Sequence, residues 1–264
     1  MNLSIDEMKS VQLEILEQIS LFCKSKGLKF FLSYGSLLGA VRHQGYIPWD
    51  DDIDIAMPRP DFDIFIRQFN DFSTVYKVRY IKNDPKYPYL CAKVEKVSTE
   101  LKDPVKIYYS IGVNVDVFCI NGASSNLLVA YSYSILARLI GAGFSLKIMN
   151  YTNRGIFKNI IFTLGKVLLF PFPISFFPKI IECIGKRNDY EKSKYVANFA
   201  YSLGKREVVL KEVYGEPSLL WFEGKKYPCP QEWHTLLRSF FGDYMTPPAI
   251  DKQVSHHLFN AYNK

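Results

Sequence analysis

No stretch among the first 27 residues reads as a secretory leader. Asp6, Glu7, Lys9, Glu14 and Glu17 interrupt every apolar run there, so residues 1–27 are expected to stay in the protein. Cysteine is sparse: Cys23, Cys91, Cys119, Cys183 and Cys229 are odd in number, scattered and without a C-x-x-C pair. That argues against a disulfide framework and a zinc knuckle and fits a reducing cytosol. Internal repeats and low-complexity segments are missing too. Acidic residues are the minority charge, 26 against 33 Lys plus Arg, and the resulting +7 points to an anionic partner. Charge alone does not choose among nucleotide phosphate, nucleic acid and an acidic membrane surface. What is plentiful is apolar material. With 48% hydrophobic and 16% aromatic residues in 264, disordered and fibrous classes are excluded, and one large or two small domains are expected.

The chain reads as α/β. Ser4 and Glu7 form a capping-box pattern ahead of apolar residues at helical spacing that run to Gly27. LKFFLS (28–33) suits a buried strand, and a Gly-Ser turn with SLLGAVRH suits a short helix. DDIDIAM (51–57) alternates as a strand, and Pro58 and Pro60 introduce a further helix over DFDIFIRQF. TVYKVRYI, YLCAKVEKV and SIGVNVDVFCI add strands, which predicts a mixed sheet with flanking helices. Residues 127–148 and 155–186 turn apolar, so the expected division is an α/β core over 1–123, a mainly helical apolar insertion over 124–190, and a segment from 191 to 264 that packs back on the core.

WDDDIDI carries the chemistry: Asp50, Asp51, Asp52 and Asp54 place four carboxylates in five positions of a basic protein. In extended chain, Asp50, Asp52 and Asp54 share one face at about 6.6 Å spacing, with Asp51, Ile53 and Ile55 on the other. Unit charges about 4 Å apart repel by roughly 1 kcal/mol in water and about 4 kcal/mol at an effective dielectric near 20, so such a cluster shifts its pKa values or binds a cation. Hard oxygen ligands favour Mg²⁺ or Mn²⁺. A calcium loop fits poorly, because Ile55 stands where the sharp turn needs Gly and Asp61 where the loop needs Glu. A solvated acidic loop leaves the alternating isoleucines unexplained. Asp116, in GVNVDVFCI, would complete three carboxylates around two divalent ions if its strand lies beside 51–57; the bland alternative is a hydrogen bond to a backbone turn.

FLSYGSLLGAVRHQGYIPWDDDIDIAMPRPDFDIF resembles the signature of the LicD family of cholinephosphotransferases, to which fukutin-type phosphoribitol transferases are related. The likeness continues at CAKVEKVSTEL, NVDVF, FEGKKYPCP and GDYMTPP. The resemblance implies a nucleotidyltransferase-like fold and transfer of a phospho-head group from a CDP-activated donor, CDP-choline first, to a hydroxyl of a cell-surface glycan precursor such as capsule, teichoic acid or lipopolysaccharide. It places the metal ligands at Asp52, Asp54 and Asp116 and the Gly-Ser motif at Gly35 and Ser36. Arg42, His43 and Lys93 are candidate phosphate contacts and Trp49 a head-group contact; Asp116 is also a candidate base. Transfer of ribitol or glycerol phosphate, nucleotidyl transfer to a small molecule, and a catalytically idle binding partner remain as alternatives.

The expected partners are therefore the CDP donor and a lipid-linked acceptor rather than nucleic acid, in the cytoplasm at the inner face of the cell membrane. From Ile156 to Phe170 a helix would rise about 22 Å, short of the roughly 30 Å hydrocarbon core, so 155–186 is expected to contact an anionic membrane without spanning it, through Lys158, Lys166, Lys179, Lys186 and Arg187. An ordinary buried subdomain is the alternative. His256 and His257 are adjacent and diverge by about 100 degrees on a helix, which argues against joint metal ligation. Trp221 and Trp233 read as core or interface anchors.

Overall fold

The computed structural model describes residues 2–102, 109–149, 156–254 and 260–264, residues 156–158 by their backbone alone. The chain opens with β1 (Asn2–Leu3) and α1 (Ile5–Lys26). Ser4 Oγ accepts the Glu7 N–H at 3.2 Å, while the Glu7 carboxylate accepts the Ser4 N–H at 2.7 Å. Gly27 ends the helix in the left-handed region at φ 66°. Met8, Val11, Ile15, Leu16, Ile19, Phe22 and Cys23 are buried at the spacing the sequence predicts, and one polar residue, Gln12, shares that face.

Next come β2 (Phe31–Leu32), α2 (Tyr34–His43), β3 (Asp54–Pro58), α3 (Arg59–Phe72), β4 (Tyr76–Arg79), β5 (Ala92–Lys96), β6 (Thr99–Lys102) and β7 (Asn114–Ala123). Helices α4 (Leu127–Ile148), α5 (Ile156–Leu169) and α6 (Phe176–Gly185) fill the middle of the chain. They are followed by β8 (Tyr195–Asn198), β9 (Val209–Leu210), β10 (Ser218–Phe222), β11 (Lys225–Cys229), α7 (Trp233–Phe241) and β12 (Asn260–Asn263).

The central sheet runs β2-β3-β7-β5-β4, with β8 on β7 and β9 on β8. β3 and β7 are parallel and the other pairs antiparallel, so this is the mixed α/β sheet that the alternation of strand and helix implies. β7 is its axis. β3 covers one edge from Asp116 to Ile120; on the other, β5 pairs from Asn114 to Val117 and β8 from Ile120 to Ala123. With one edge or both paired at every position, each residue from Val117 to Ala123 is buried, and Asp116, partly exposed, immediately precedes that run.

Two strands are shorter than the sequence suggests. β2 has two residues rather than the run 28–33, and β3 begins at Asp54 rather than at residue 51. The cause is pairing: β2 meets β3 only at Phe31↔Ala56 and Leu32↔Ile55, and the Ser33 N–H then closes on the Asp54 carbonyl at 3.0 Å. Asp50–Ile53 are thus irregular, held instead by Gln12 Nε2 on the Asp51 carbonyl at 2.9 Å and by the Asp116 N–H on the Ile53 carbonyl at 2.9 Å. Their burial still alternates, with Asp51 and Ile53 buried and Asp50, Asp52 and Asp54 partly exposed.

α4 lays Ala130, Ser134, Ala137, Gly141 and Phe144 against the core, and Ser134 Oγ bonds Ser202 Oγ at 2.9 Å and the Gly204 carbonyl at 2.7 Å. By length and composition α4 is the described helix long and apolar enough to cross a membrane; its inward stripe holds it to the segment after β8, and much of its apolar surface stays exposed. α6 is anchored by Glu182, which takes the Arg59 guanidinium at 3.0 Å, the Tyr80 hydroxyl at 2.7 Å and Lys82 Nζ at 2.9 Å. Trp221, in β10, is not a core residue: about half exposed, it carries Lys226 Nζ over its ring at 5.3 Å.

Candidate active site

Strand register assembles the first half of the site. Asp54 pairs with Asp116 across β3 and β7, and Lys93 of β5 pairs with Asp116 from the other side. Neighbouring strands lie about 4.8 Å apart, so one cation and two carboxylates stand in a row across three strands. Lys93 Nζ bonds Asp116 Oδ1 and Asn114 Oδ1, the latter at 3.2 Å, and Cys91 Sγ stands 3.4 Å from Asp116 Oδ2. Burial by itself would lower the Lys93 pKa, but the charge and hydrogen bond of Asp116, together with Cys91 and Tyr201, outweigh it and the net shift is upward. Lys93 is therefore a fixed cation in contact with Asp116.

The second half is the acidic loop. Asp50, Asp51 and Asp52 each turn one ligand atom to a common spot, all within 4.8 Å of one another. This corrects the strand-face arithmetic: Asp51 is buried, yet its carboxylate joins its neighbours, because extended pairing starts only at Asp54. α2 closes on the loop from above. The Asp54 N–H donates to Ser36 Oγ at 2.8 Å, and a Cβ on Gly35 would stand 2.5 Å from Asp50 Oδ2, so glycine lets the helix backbone come this near with the Asp50 carboxylate where it is. The Asp54 carboxyl is pushed well above the usual carboxylate range, by burial first and then by Asp52, Asp116 and Asp50, with Lys93 offsetting part. Crowded carboxylates with one partly buried Lys in contact are a donor set that suits a hard divalent cation.

Four residues outside the sequence reading hold this arrangement. Tyr34 opens α2 with φ 42°, unusual for a residue with a Cβ, and its ring stacks on Phe240 at 5.1 Å and meets Phe118 edge-on at 4.9 Å. The Tyr34 hydroxyl donates to Glu207 Oε1 at 2.9 Å and accepts from Asn198 Nδ2 at 2.6 Å. Glu207 is 2% exposed, its Oε2 has no hydrogen-bond partner among the described residues, and burial raises its carboxyl to about 8. Gln12 is the fourth; its signal was a polar residue amid the buried stripe of α1. Glu207 lies far along the chain in a charged GKRE run and gave none.

Arg42, His43 and Trp49 form a group of their own where α2 ends. The Arg42 guanidinium lies 5.9 Å over the Trp49 ring and donates to the Tyr244 carbonyl at 2.8 Å, while the His43 ring meets Trp49 edge-on at 6.3 Å. Burial lowers the pKa of both Arg42 and His43, with the Arg42 charge adding to the shift at His43. Tyr46, beside them in sequence, turns to α1, with Lys9 Nζ 4.5 Å over its ring and its hydroxyl on Gln12 Oε1 at 2.9 Å. The loop is clasped by the β10–β11 turn: Glu223 Oε1 accepts the Tyr46 N–H at 2.9 Å, and the Glu223 N–H donates to the Gln44 carbonyl at 3.0 Å. FEGKKYPCP and GDYMTPP thereby reach the same place as the first motif. His256 and His257 lie outside the described residues.

Residues 27–118 match the family described as the LicD/FKTN/FKRP nucleotidyltransferase domain. Across 98% of both chains the protein is 25% identical to the lipopolysaccharide cholinephosphotransferase LicD of Haemophilus influenzae. It is also 34% identical to an uncharacterized protein of Rickettsia typhi over 30% of this chain and 26% of that one. Over 13% of each chain it is 56% identical to one of Rickettsia prowazekii. The matched domain contains Gly35, Ser36, the whole acidic loop, Lys93 and Asp116, so the residues of the site lie in the part of the chain that is similar to the LicD/FKTN/FKRP nucleotidyltransferase domain.

Proposed function

We propose that the protein is a divalent-metal-dependent transferase that moves phosphocholine from CDP-choline to a hydroxyl of a cell-surface glycan precursor. The observation that carries this reading is the register pair Asp54↔Asp116, with the charges of Asp52 and Asp50 acting on Asp54 and with Lys93 in contact with Asp116. Asp52, Asp54 and Asp116 are the proposed ligands, with Asp50 and Asp51 close enough to contribute. Mg²⁺ or Mn²⁺, when bound, would neutralise phosphate oxygens and hold the attacking and leaving oxygens in line.

The chain's own groups supply the remainder. The first turn of α2 at Gly35 and Ser36 borders the acidic loop, and its backbone N–H groups would offer donors to the diphosphate. Ser36 Oγ accepts from the Asp54 amide, so its own proton is still available to donate. The acceptor hydroxyl attacks the phosphorus that bears the choline; the new O–P bond forms as the bond to the bridging oxygen breaks, and CMP leaves with that oxygen. The hydroxyl proton passes to a carboxylate. Asp116 serves if Lys93 shifts to the phosphate as it arrives, which keeps the charge count constant.

The choline head group rests on the activity named for the Haemophilus relative and on Trp49 at the entrance to the acidic loop. A second reading has one observation in its favour. Arg42 already occupies a face of Trp49, which suits hydroxyl recognition better than a quaternary ammonium, so CDP-ribitol or CDP-glycerol is the alternative donor. Competing the three CDP donors in one reaction with Mg²⁺ and a lipid-linked glycan acceptor tests both. CDP-choline as the best donor supports the proposal, a CDP-alditol as the best donor replaces it, and full turnover in EDTA refutes the metal.

A further inference from the structure

We propose that the outward face of α5, with the exposed flank of α4, docks on an anionic lipid bilayer. α5 is apolar on two opposite sides. Phe162, Gly165 and Leu169 turn towards the rest of the helical layer; a Cβ added at Gly165 would stand 2.6 Å from Leu146 of α4. On the far side Ile160, Ile161, Leu164, Val167 and Leu168 recur at i, i+1, i+4, i+7 and i+8, where a helix on a soluble domain would carry its charges. Leu164 is 64% and Leu168 75% exposed, and Phe170, just past the helix end, is 83% exposed. Leu128, Leu136 and Leu139 extend the apolar surface along α4.

Charge selects the occupant. Residues 127–187 contain five lysines and three arginines against a single acid, Glu182, and Glu182 is buried in its pairs with Arg59 and Lys82. An exposed apolar stripe in a segment whose acid is hidden matches an interface of acyl chains under anionic head groups. At the end of α5 a groove of about 320 Å³ is lined by Thr163, Lys166, Val167 and Phe170, and the Lys166 ammonium beside it donates to the Met149 carbonyl. The 14 residues of α5 rise about 21 Å, too short to span, so the helix lies in the plane of the bilayer. The location is apt: Gly141 of α4 packs against Leu90, and Phe144 meets Tyr201, whose ring meets Phe118 two residues after Asp116. The docking stands on the chemistry of the face; only its purpose, bringing a lipid-carried acceptor to the site, rests on the proposed transfer.

Flotation of the full chain with vesicles of phosphatidylethanolamine and phosphatidylglycerol, against phosphatidylcholine alone, tests the docking without reference to activity. The wild type should float with the anionic vesicles at low salt, float less as salt rises, and stay behind with phosphatidylcholine. The double variant Leu164→Glu/Leu168→Glu changes only exposed side chains and should lose at least about tenfold in partitioning while melting as the wild type does. A wild type that stays behind, or a double variant that floats equally well, overturns the proposal. So does a wild type that elutes as a dimer which the double variant converts to monomer, since a second copy then covers the face.

Discussion

Replacing Asp54 by Asn should make the metal-free protein more stable and nearly inactive. Two unit charges 4.8 Å apart, the limit among the carboxylates of Asp50, Asp51 and Asp52, repel by about 3.5 kcal/mol at an effective dielectric of 20. Asp54 feels Asp52, Asp116 and Asp50 together, Lys93 returns part of that energy, and Asn keeps the side-chain shape. A net gain of about 1–2 kcal/mol in EDTA is expected, a rise of roughly 2–8 °C in Tm for a chain of this size. The pH dependence has a definite sign. A carboxyl whose folded pKa is raised costs nothing while both states are protonated, and costs progressively more as pH rises from the unfolded value through the folded one. The margin of Asp54→Asn over wild type should therefore vanish in strong acid and widen towards neutrality.

Added Mg²⁺ should reverse the ranking. At about 100 times its Kd a ligand specific to the folded state adds about 2.7 kcal/mol, which the wild type gains and the variant, short of a ligand, largely does not. Urea melts of both proteins in EDTA and in Mg²⁺ across the acid-to-neutral range read all of this, and transfer should fall at least about 100-fold in the variant. A variant less stable than wild type in EDTA, or an equal Mg²⁺ shift in both proteins, would refute the reasoning from crowded carboxylates.

Glu207→Gln removes a buried carboxyl raised to about 8, a group that weakens the fold as pH climbs from the ordinary carboxylate range to that value; the variant should be more stable than wild type at neutral pH in urea melts, with the difference lost in acid. Gly35→Ala brings a Cβ within 2.5 Å of Asp50 Oδ2, so either the Asp50 carboxylate or the first turn of α2 must shift, and kcat should fall at least about tenfold with the far-UV CD spectrum unchanged. Trp49→Ala frees Arg42 from its ring and should shift the ratio of kcat/KM between CDP-choline and CDP-ribitol; an unchanged ratio removes Trp49 from head-group selection.

The acidic residues were legible because charge in an apolar strand has few structural uses: Asp116 among valines and Asp54 among isoleucines stand out against their neighbours. Their pairing was legible as a condition and became a fact through register, which no local pattern fixes. The error over Asp51 has the same root. Alternation assigns faces only where a strand is hydrogen-bonded, and β2 is too short to extend β3 back to residue 51. Tyr34 and Glu207 were beyond reach for another reason: 173 residues separate them, and neither sits in a pattern of spacing or charge that signals a contact. Lys93 was visible only as a basic residue in a motif, and antiparallel pairing of β5 with β7 is what sets it on Asp116.

The matched domain, 27–118, holds every proposed ligand but does not complete its own structure. β7 runs to Ala123, and its second half needs β8 along one edge, which residues 195–198 supply. Tyr34, which starts the helix over the carboxylates in a left-handed conformation, takes both hydroxyl partners from Asn198 and Glu207. The loop leading into the acidic segment is tied by Glu223, and Arg42 by the Tyr244 carbonyl. Apart from the β7–β8 pairing, each of these contacts reaches from the last third of the chain to Tyr34, Arg42 or Tyr46, in the segment between the start of α2 and the acidic loop. The short motifs near residues 222 and 242 therefore read as the clasp of the catalytic loop: they contribute no carboxylate, yet they decide where the backbone that bears the carboxylates runs.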